Sequence, residues 1–212
     1  MEYGLGRLAA PDLRDHDWLV REVVPRSLLT RKFWWGYGLP RLDQGSSPHC
    51  VAYSWSNFLI DSPTPHKLDR DPVWIYHEAQ KVDEWPGEDY DGTSVRAGAK
   101  VLSNLGEFTE YRWAFTLNDV IDAVLERGPV VVGTNWYEEM FYPDSNNVIH
   151  IGGDIAGGHA WKIDGVNTEL RFFRMKNSWG AYWGKGGFAR ISFDDVSRLL
   201  DEDGEACMAI ER

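Results

Sequence analysis

Only two cysteines, Cys50 and Cys207, occur in 212 residues, so no disulfide framework holds this chain together. A chain so poor in cysteine fits a reducing, cytoplasmic setting. Residues 1–10 lack a basic start followed by an apolar run, so no secretory signal is expected. No run of about 18 apolar residues is present, which excludes a transmembrane helix and predicts no membrane partner. Asn-x-Ser/Thr acceptors are missing too. Basic residues are outnumbered, with 22 Lys and Arg against 33 Asp and Glu, and the formal net charge of −11 disfavours a nucleic-acid partner. No Cys/His spacing matches a zinc site, so neither metal nor cofactor is expected.

Aromatic residues, by contrast, are abundant at 14%, with 11 Trp, and the 43% hydrophobic content is enough for a core in one unit or two small lobes. Residues 1–40 look irregular, with a short helix expected near 17–24. Trp18, Leu19, Val23, Val24, Leu28, Phe33, Trp34 and Trp35 are too apolar for a loose tail. Ser47-Pro48 reads as a helix start, followed by Val51, Trp55, Phe58 and Leu59 on one stripe, and Asp61-Ser62-Pro63-Thr64-Pro65 ends it. Further helices are predicted from Asp71-Pro72, from Ser94 to Gly106, and from Thr116 to Gly128-Pro129. Strand candidates follow at 130–132, 159–166, 170–176, 187–193 and 206–210. Helices first and strands later predict an α+β protein.

The densest pattern is Lys176-Asn177-Ser178-Trp179-Gly180-Ala181-Tyr182-Trp183-Gly184-Lys185-Gly186-Gly187-Phe188. Two Trp and several Gly at fixed offsets around one Asn demand tight turns and an aromatic cover over a polar group. Upstream lie Asp43-Gln44-Gly45-Ser46-Ser47-Pro48-His49-Cys50 and Gly157-Gly158-His159-Ala160. Cys50 falls in the first turn of a buried helix, where unpaired N–H groups and the helix dipole favour a thiolate. His49, adjacent on the helix, faces elsewhere, and His16, His66, His77 and His150 have no partner pattern.

Gln, Cys, His and Asn in this chain order resemble the papain family of cysteine peptidases. The resemblance spans most of residues 41–212 as islands. It implies a papain-like fold of two lobes with the active site in the cleft between them: 1–40 a strap packed on the body, 41–115 a helical lobe carrying the nucleophile, and 116–212 a strand-rich lobe carrying His and Asn. It implies a cysteine endopeptidase acting on protein or peptide substrates. Cys50 is then the nucleophile, His159 the base, Asn177 its orienting partner and Gln44 an oxyanion donor. By the same resemblance, Gly92, Thr93, Val95, Gly158, Ala160 and Trp179 contact substrate. Val95 and Ala160 line the main specificity pocket, which predicts an apolar residue two positions before the cut, and Thr93 narrows a wall where the family has Gly.

Several departures stand out. Val51 occupies a position where the family usually has Trp, and Ser47 one where it often has a disulfide cysteine. Cys207 is then a buried free thiol. The stretch between nucleophile and His is short, as in a compact prokaryotic or phage-type branch. No long prodomain is expected, and residues 1–40 are predicted to be structural rather than a removable inhibitor. The same constellation also serves an amidase, a peptidoglycan or isopeptide hydrolase, or an acyl transferase, and a non-catalytic binding protein on this fold remains an alternative.

Overall fold

The computed structural model describes residues 3–26, 31–36, 41–61, 63 and 70–210. Leu28, Ser62, Thr64, Pro65 and His66 therefore lie outside the described residues. Two 3-10 turns, Leu13–Asp17 and Val20–Glu22, stand where one short helix was expected. The remaining elements run β1 (Lys32–Trp34), α1 (Cys50–Asp61), α2 (Pro72–Gln80), α3 (Val95–Asn104), β2 (Glu110–Ala114), α4 (Leu117–Glu126), β3 (Val130–Tyr137), a 3-10 turn at Glu138–Phe141, β4 (Ile155–Asn167), β5 (Phe172–Lys176), β6 (Phe188–Ser192), α5 (Phe193–Asp201) and β7 (Glu205–Ile210). The class is α+β, as the order of patterns predicted.

Side-chain caps set four helix starts. Asp71, Ser94, Thr116 and Ser192 each accept a backbone N–H from the first turn that follows. α1 begins at Cys50, two residues later than a start with Pro48 in the first position would give. The His49 carbonyl takes the first helical bond, from the Tyr53 N–H at 3.1 Å. Four elements have no counterpart in the sequence reading: β1, β2, α5 and the 3-10 turn at Glu138–Phe141. The signal for α5 was present in Ser192 with Phe193, Val196 and Leu199, which are all buried, but it abuts the β6 run without a break.

Among the described residues seven strands form one antiparallel sheet in the order β2-β7-β3-β4-β5-β6, with β1 also on β4. Side chains alternate between its faces. Val131, Ala160, Cys207 and Ala209 join Val51, Trp55, Phe58 and Leu102 in one core. Val130, Val132, Trp161, Ile163, Ala206 and Met208 join Val120, Val124, Val196 and Leu199 in the other. Both faces of β3 are covered, which is why its first three residues are all Val.

On β4 the alternation carries Lys162 and Asp164 to the same face as Ala160. Lys162, and Lys176 opposite it on β5, both donate to Asp61 Oδ2 at the end of α1. Lys162 also donates to the Asn57 carbonyl at 3.0 Å, and Arg174 donates to Asp164 at 2.7 Å. Burial pushes Lys162 down to about 8, against the opposing pull of Asp164 and Asp61. Replacing Asp61 by Ala leaves two ammonium groups in a dry seam, and urea unfolding should lose about 3–5 kcal/mol of stability. A loss below about 1 kcal/mol would remove this cluster as the anchor of α1.

Candidate active site

Cys50 is the first residue of α1 and is fully buried. The Ala160 N–H donates to its Sγ at 3.4 Å, and the N–H groups of Val51 and Gly6 are directed at the same sulfur. Three donors on one sulfur, two of them supplied by α1 and β4, make a socket for negative charge. The thiol is nevertheless pushed up to about 12, because burial outweighs those donors.

His159 lies on β4 one residue before Ala160, so the strand that touches the sulfur also carries the imidazole. Its Nε2 donates to Asn177 Oδ1 at 2.9 Å, and its Nδ1 has no hydrogen-bond partner. Asn177 follows β5, and its Oδ1 also accepts from the Ser178 N–H at 2.8 Å, which fixes the oxygen toward the ring. Trp179 stacks on the imidazole at 4.5 Å and Trp136 meets it edge-on at 4.8 Å. This aromatic enclosure pushes His159 down to about 4 by desolvation, opposed by its bond to Asn177. Of the other histidines, His49 turns its ring to Tyr76 at 4.2 Å, His16 stacks on Phe115 and His150 pairs with Asp144.

Gln44 is tied to the Asn177 loop. Its N–H donates to the Ser178 carbonyl at 2.8 Å, and Ser178 Oγ donates to Gln44 Oε1 at 2.6 Å. With the amide oxygen held there, the NH₂ is turned the other way, donating to the carbonyls of Ser47 at 2.7 Å and Gly4 at 3.2 Å. Gly180, with φ of +71°, lets this loop close on Asp43; a Cβ there would stand 2.6 Å from the Asp43 carboxylate.

Residues 4–8 run directly over the thiol. The Gly6 and Arg7 N–H groups both donate to the Gly158 carbonyl at 3.0 Å, and the Leu8 N–H donates to Thr93 O at 3.0 Å. Thr93 returns its N–H to Gly6 O at 3.0 Å, a parallel bridge centred on Arg7. Trp179 Nε1 joins Gln44 on the Gly4 carbonyl, at 3.2 Å, and Tyr3 stacks on the Trp179 indole at 4.6 Å. A Cβ on Gly158 would overlap the Arg7 carbonyl, so close approach of the two backbones needs glycine there. The strap expected on the body is thus partly inside the cleft. Its apolar residues divide: Leu19, Val20 and Val24 are buried, whereas Trp18, Phe33 and Trp34 remain 39–50% exposed.

Two expectations about the substrate-binding residues need correction. Thr93 does not narrow the cleft with its side chain, because its Oγ1 donates to Asp83 at 2.7 Å; its main chain forms the cleft edge, with Gly92 packed under Gly6 O. The pocket beside Val95 is not simply apolar. It holds the Arg7 side chain, whose Nε donates to Glu205 Oε1 at 3.1 Å and whose Nη2 donates to the Asp203 carbonyl at 2.6 Å. Glu205 was missed because one acid opening an apolar strand gives no pattern of its own. Ala160 lies across the β3–β4 ladder from Gly133 in the same region. Cys207 is a buried free thiol on β7. Among the described residues no group of three His, Cys, Asp or Glu is arranged to hold a metal, and no helix is long and apolar enough to cross a membrane.

The sequence profile described as papain family cysteine protease matches residues 74–204, which is more than half of the chain and includes His159 and Asn177. The chain belongs to the papain family of cysteine proteases. A cathepsin B-like cysteine proteinase 6 of Caenorhabditis elegans is 31% identical over 84 residues, covering 37% of this chain and 22% of that protein. An uncharacterized peptidase C1-like protein of Acanthamoeba polyphaga mimivirus is 22% identical over 206 residues, covering 75% of this chain and 66% of that protein. In fold the chain is similar to xylellain, a cysteine protease from Xylella fastidiosa, with a TM-score of 0.76 at 19% identity over 100% of this chain and 98% of the other. It is also similar to the bromelain protease from Ananas comosus, with a TM-score of 0.65 at 14% identity over 87% and 100% of the two chains.

Burial of the Cys50–His159 pair has a signature in pH. His159 moves from its ordinary 6.5 to about 4, so the unfolded chain binds the proton first and stability falls as pH drops through that window. Cys50 moves from 9.0 to about 12, so the unfolded chain loses its proton first and stability falls again as pH rises above 9.0. Urea unfolding from pH 4 to 10 should show a plateau between these limits. In His159→Gln the acid slope should become shallower, and an unchanged slope would mean that His159 is not held neutral.

Proposed function

We propose that this chain is a cysteine endopeptidase, held latent here by its own residues 4–8. The observation that carries the reading is the imidazole of His159, with Nε2 bound to Asn177 and Nδ1 unpartnered, on the strand whose next N–H touches Cys50 Sγ. Nδ1 takes the thiol proton as Sγ attacks a peptide carbonyl carbon. The oxyanion that forms is met by the Cys50 N–H, which at a helix start has no intrahelical partner, and by the Gln44 NH₂ once its bond to the Gly4 carbonyl is released with residues 4–8. Nδ1–H then protonates the departing amine, and the acyl-thioester is hydrolysed by water deprotonated at the same nitrogen. Asn177 keeps the ring in the tautomer and angle this requires, and Trp179 keeps water off their bond.

A peptide substrate is favoured over a small amide or a cell-wall unit by the cleft's own shape. It accommodates five consecutive residues in extended form, paired on both sides through Gly158 and Thr93. Residues 4–8 themselves escape attack because the sulfur faces the Gly6 N–H rather than a carbonyl carbon, and the Gly6 carbonyl is engaged by Thr93. Two buried free thiols, one of them the nucleophile, support a reducing compartment as the working environment.

Two measurements follow. Deleting residues 1–8 should raise turnover of an unfolded protein such as casein by on the order of tenfold or more, because the competent state is no longer a minor fraction. Cys50→Ala in the same background should abolish it, with no acyl-enzyme seen by mass spectrometry. A deletion that stays folded and inert, or activity that survives Cys50→Ala, would overturn the reading. Separately, Gln44→Ala should lower kcat more than it raises KM, since the oxyanion exists only beyond the ground state. A pure KM effect would give Gln44 a binding role instead.

A further inference from the structure

Resting on the endopeptidase reading, we propose that Trp136 is a further positioning residue of the site: its indole face holds the His159 imidazole in place and stabilises that ring while it carries the thiol proton. Trp136 lies outside the motifs that hold Gln44, Cys50, His159 and Asn177. It is fully buried near the end of β3. On the β3–β4 ladder His159 is opposite Thr134, and Trp136 is two residues further on, opposite Gly157. Thr134, Trp136 and His159 therefore share one face of the sheet. Thr134 is short and its Oγ1 is taken by Trp161 Nε1 at 3.1 Å, which leaves the diagonal from Trp136 to the imidazole open. The pairing register shifts between Trp136 and Tyr137, an irregularity of the kind that re-aims a side chain beside an active site.

The ring geometry fixes which surfaces meet. Trp179 and the imidazole are stacked, 4.5 Å apart and 22° from parallel. Trp136 stands 4.8 Å from the imidazole and 5.2 Å from Trp179, at 73° and 87° to their planes. A ring nearly equidistant from both members of a stack lies beside it, not on top of it. At that separation two edges would collide, so Trp136 turns its face to the edges of both rings. Phe141, from the 3-10 turn that follows β3, meets Trp136 at 6.1 Å and 72°. Among the described residues Trp136 Nε1 has no hydrogen-bond partner. Ring packing alone holds the indole, and its N–H stays buried and unpaired, a cost that calls for a compensating role.

Protonated His159 has few other sources of support. Around it are Asn177 and Trp179 on the loop after β5, Thr134 and Trp136 on β3, and Cys50 on α1 by way of the adjoining Ala160. None is a carboxylate. From residues 3–8, Tyr3 stacks on Trp179 and the Arg7 charge acts on the sulfur. Burial sets the low basicity of the imidazole, opposed by Asn177 alone. Once Sγ has bonded to the carbonyl carbon, the thiol proton sits on Nδ1 and the imidazolium keeps one neutral acceptor, Asn177 Oδ1. An aromatic face is electron-rich and attracts a cation within about 6 Å of its centroid, most strongly in a dry site. Trp136 meets that condition at 4.8 Å, against an edge of the ring, where a protonated imidazole carries its positive charge. The same contact bars the ring from sliding toward β3, so Nδ1 keeps its place while it receives the thiol proton and while it passes that proton to the leaving amine.

The test uses the full chain with its cleft opened by Gly4→Ala and Gly6→Ala. A Cβ at these positions would stand 2.0 Å from Ser47 O and 2.1 Å from Pro48 O, so residues 4–8 no longer seat. Adding Cys50→Ala removes the coupled thiol, and the His159 pKa is read from its imidazole NMR signals. Trp136→Leu keeps the site apolar without an aromatic face and should lower that pKa by about half to one and a half units. Trp136→Phe keeps a face and should leave it within about half a unit. With Cys50 restored, Trp136→Leu should lower kcat on a fluorogenic peptide by about three- to thirtyfold with KM changed by about twofold or less. Neither limb of the pH profile should move to higher pH. If Trp136→Leu does not fold, fluorinated tryptophans placed at position 136 alone keep the shape and withdraw electrons from the face, and the pKa should fall with each added fluorine. A His159 pKa that stays or rises as the face is removed, or Trp136→Phe as damaging as Trp136→Leu, overturns the proposal and leaves the endopeptidase reading intact. That reading is judged separately, by casein turnover of the opened chain with Trp136 in place. If this chain leaves casein uncut, the endopeptidase reading falls, and the titration still decides whether Trp136 acts on His159.

Discussion

The position of α1 across β4 is the constraint on which the site depends. One end of the helix is fixed where Lys162 and Lys176 converge on Asp61, and the other where the Ala160 N–H meets Cys50 Sγ. β4 is the common base, with Ala160 and Lys162 on one face two residues apart. Because the same strand carries His159, the imidazole is placed by the contact that seats the helix bearing Cys50. β5 follows as its neighbour and delivers Asn177 to the ring just past its own last residue, Lys176. A shift of β4 by one residue would turn Ala160 and Lys162 away from α1 and break both anchors together.

Charge at the site is governed by water more than by direct partners. The sulfur has three N–H donors and the imidazole has Asn177, yet burial moves thiol and imidazole apart, to about 12 and about 4. Both groups are neutral in this state. The N–H groups of Ala160 and Val51 belong to the body and remain when residues 4–8 leave, whereas the Gly6 N–H departs with them. Re-entry of water then removes the desolvation that outweighs the remaining donors. On the latency proposed above, the segment that fills the cleft also contributes to the burial that shifts both groups.

Much of this was legible in the sequence, for identifiable reasons. Asp71, Ser94 and Thr116 are caps that act within one turn, and the helices they begin were placed correctly. The Val130–Val132 run and the strand candidate at 159–166 gave β3 and β4. Gln44, Cys50, His159 and Asn177 were found through short motifs, and the structure brings them to one place. What escaped was set by contacts distant along the chain. β2 exists because it pairs with β7 nearly a hundred residues later. Glu205 gains its meaning from Arg7, 198 residues away, and neither neighbourhood hints at the other. The course of residues 4–8 was hidden because its anchors lie far along the chain and many are backbone groups, on Gly158, Thr93 and Gly45, which any sequence possesses. Composition revealed that the arm was too apolar to hang free, but not that residues 4–8 would lie in the cleft.

Residues 4–8 and the cleft they fill belong to one polypeptide, and closure is therefore a first-order event. A separate inhibitory peptide would be lost on dilution, whereas this one is presented at an effective concentration set by the tether that follows it, of the order of millimolar for a short link. The degree of occlusion is then the same at any protein concentration. Under the proposed latency, competing peptides have to overcome that local concentration, so a scarce substrate would meet a closed molecule and an abundant one would open it.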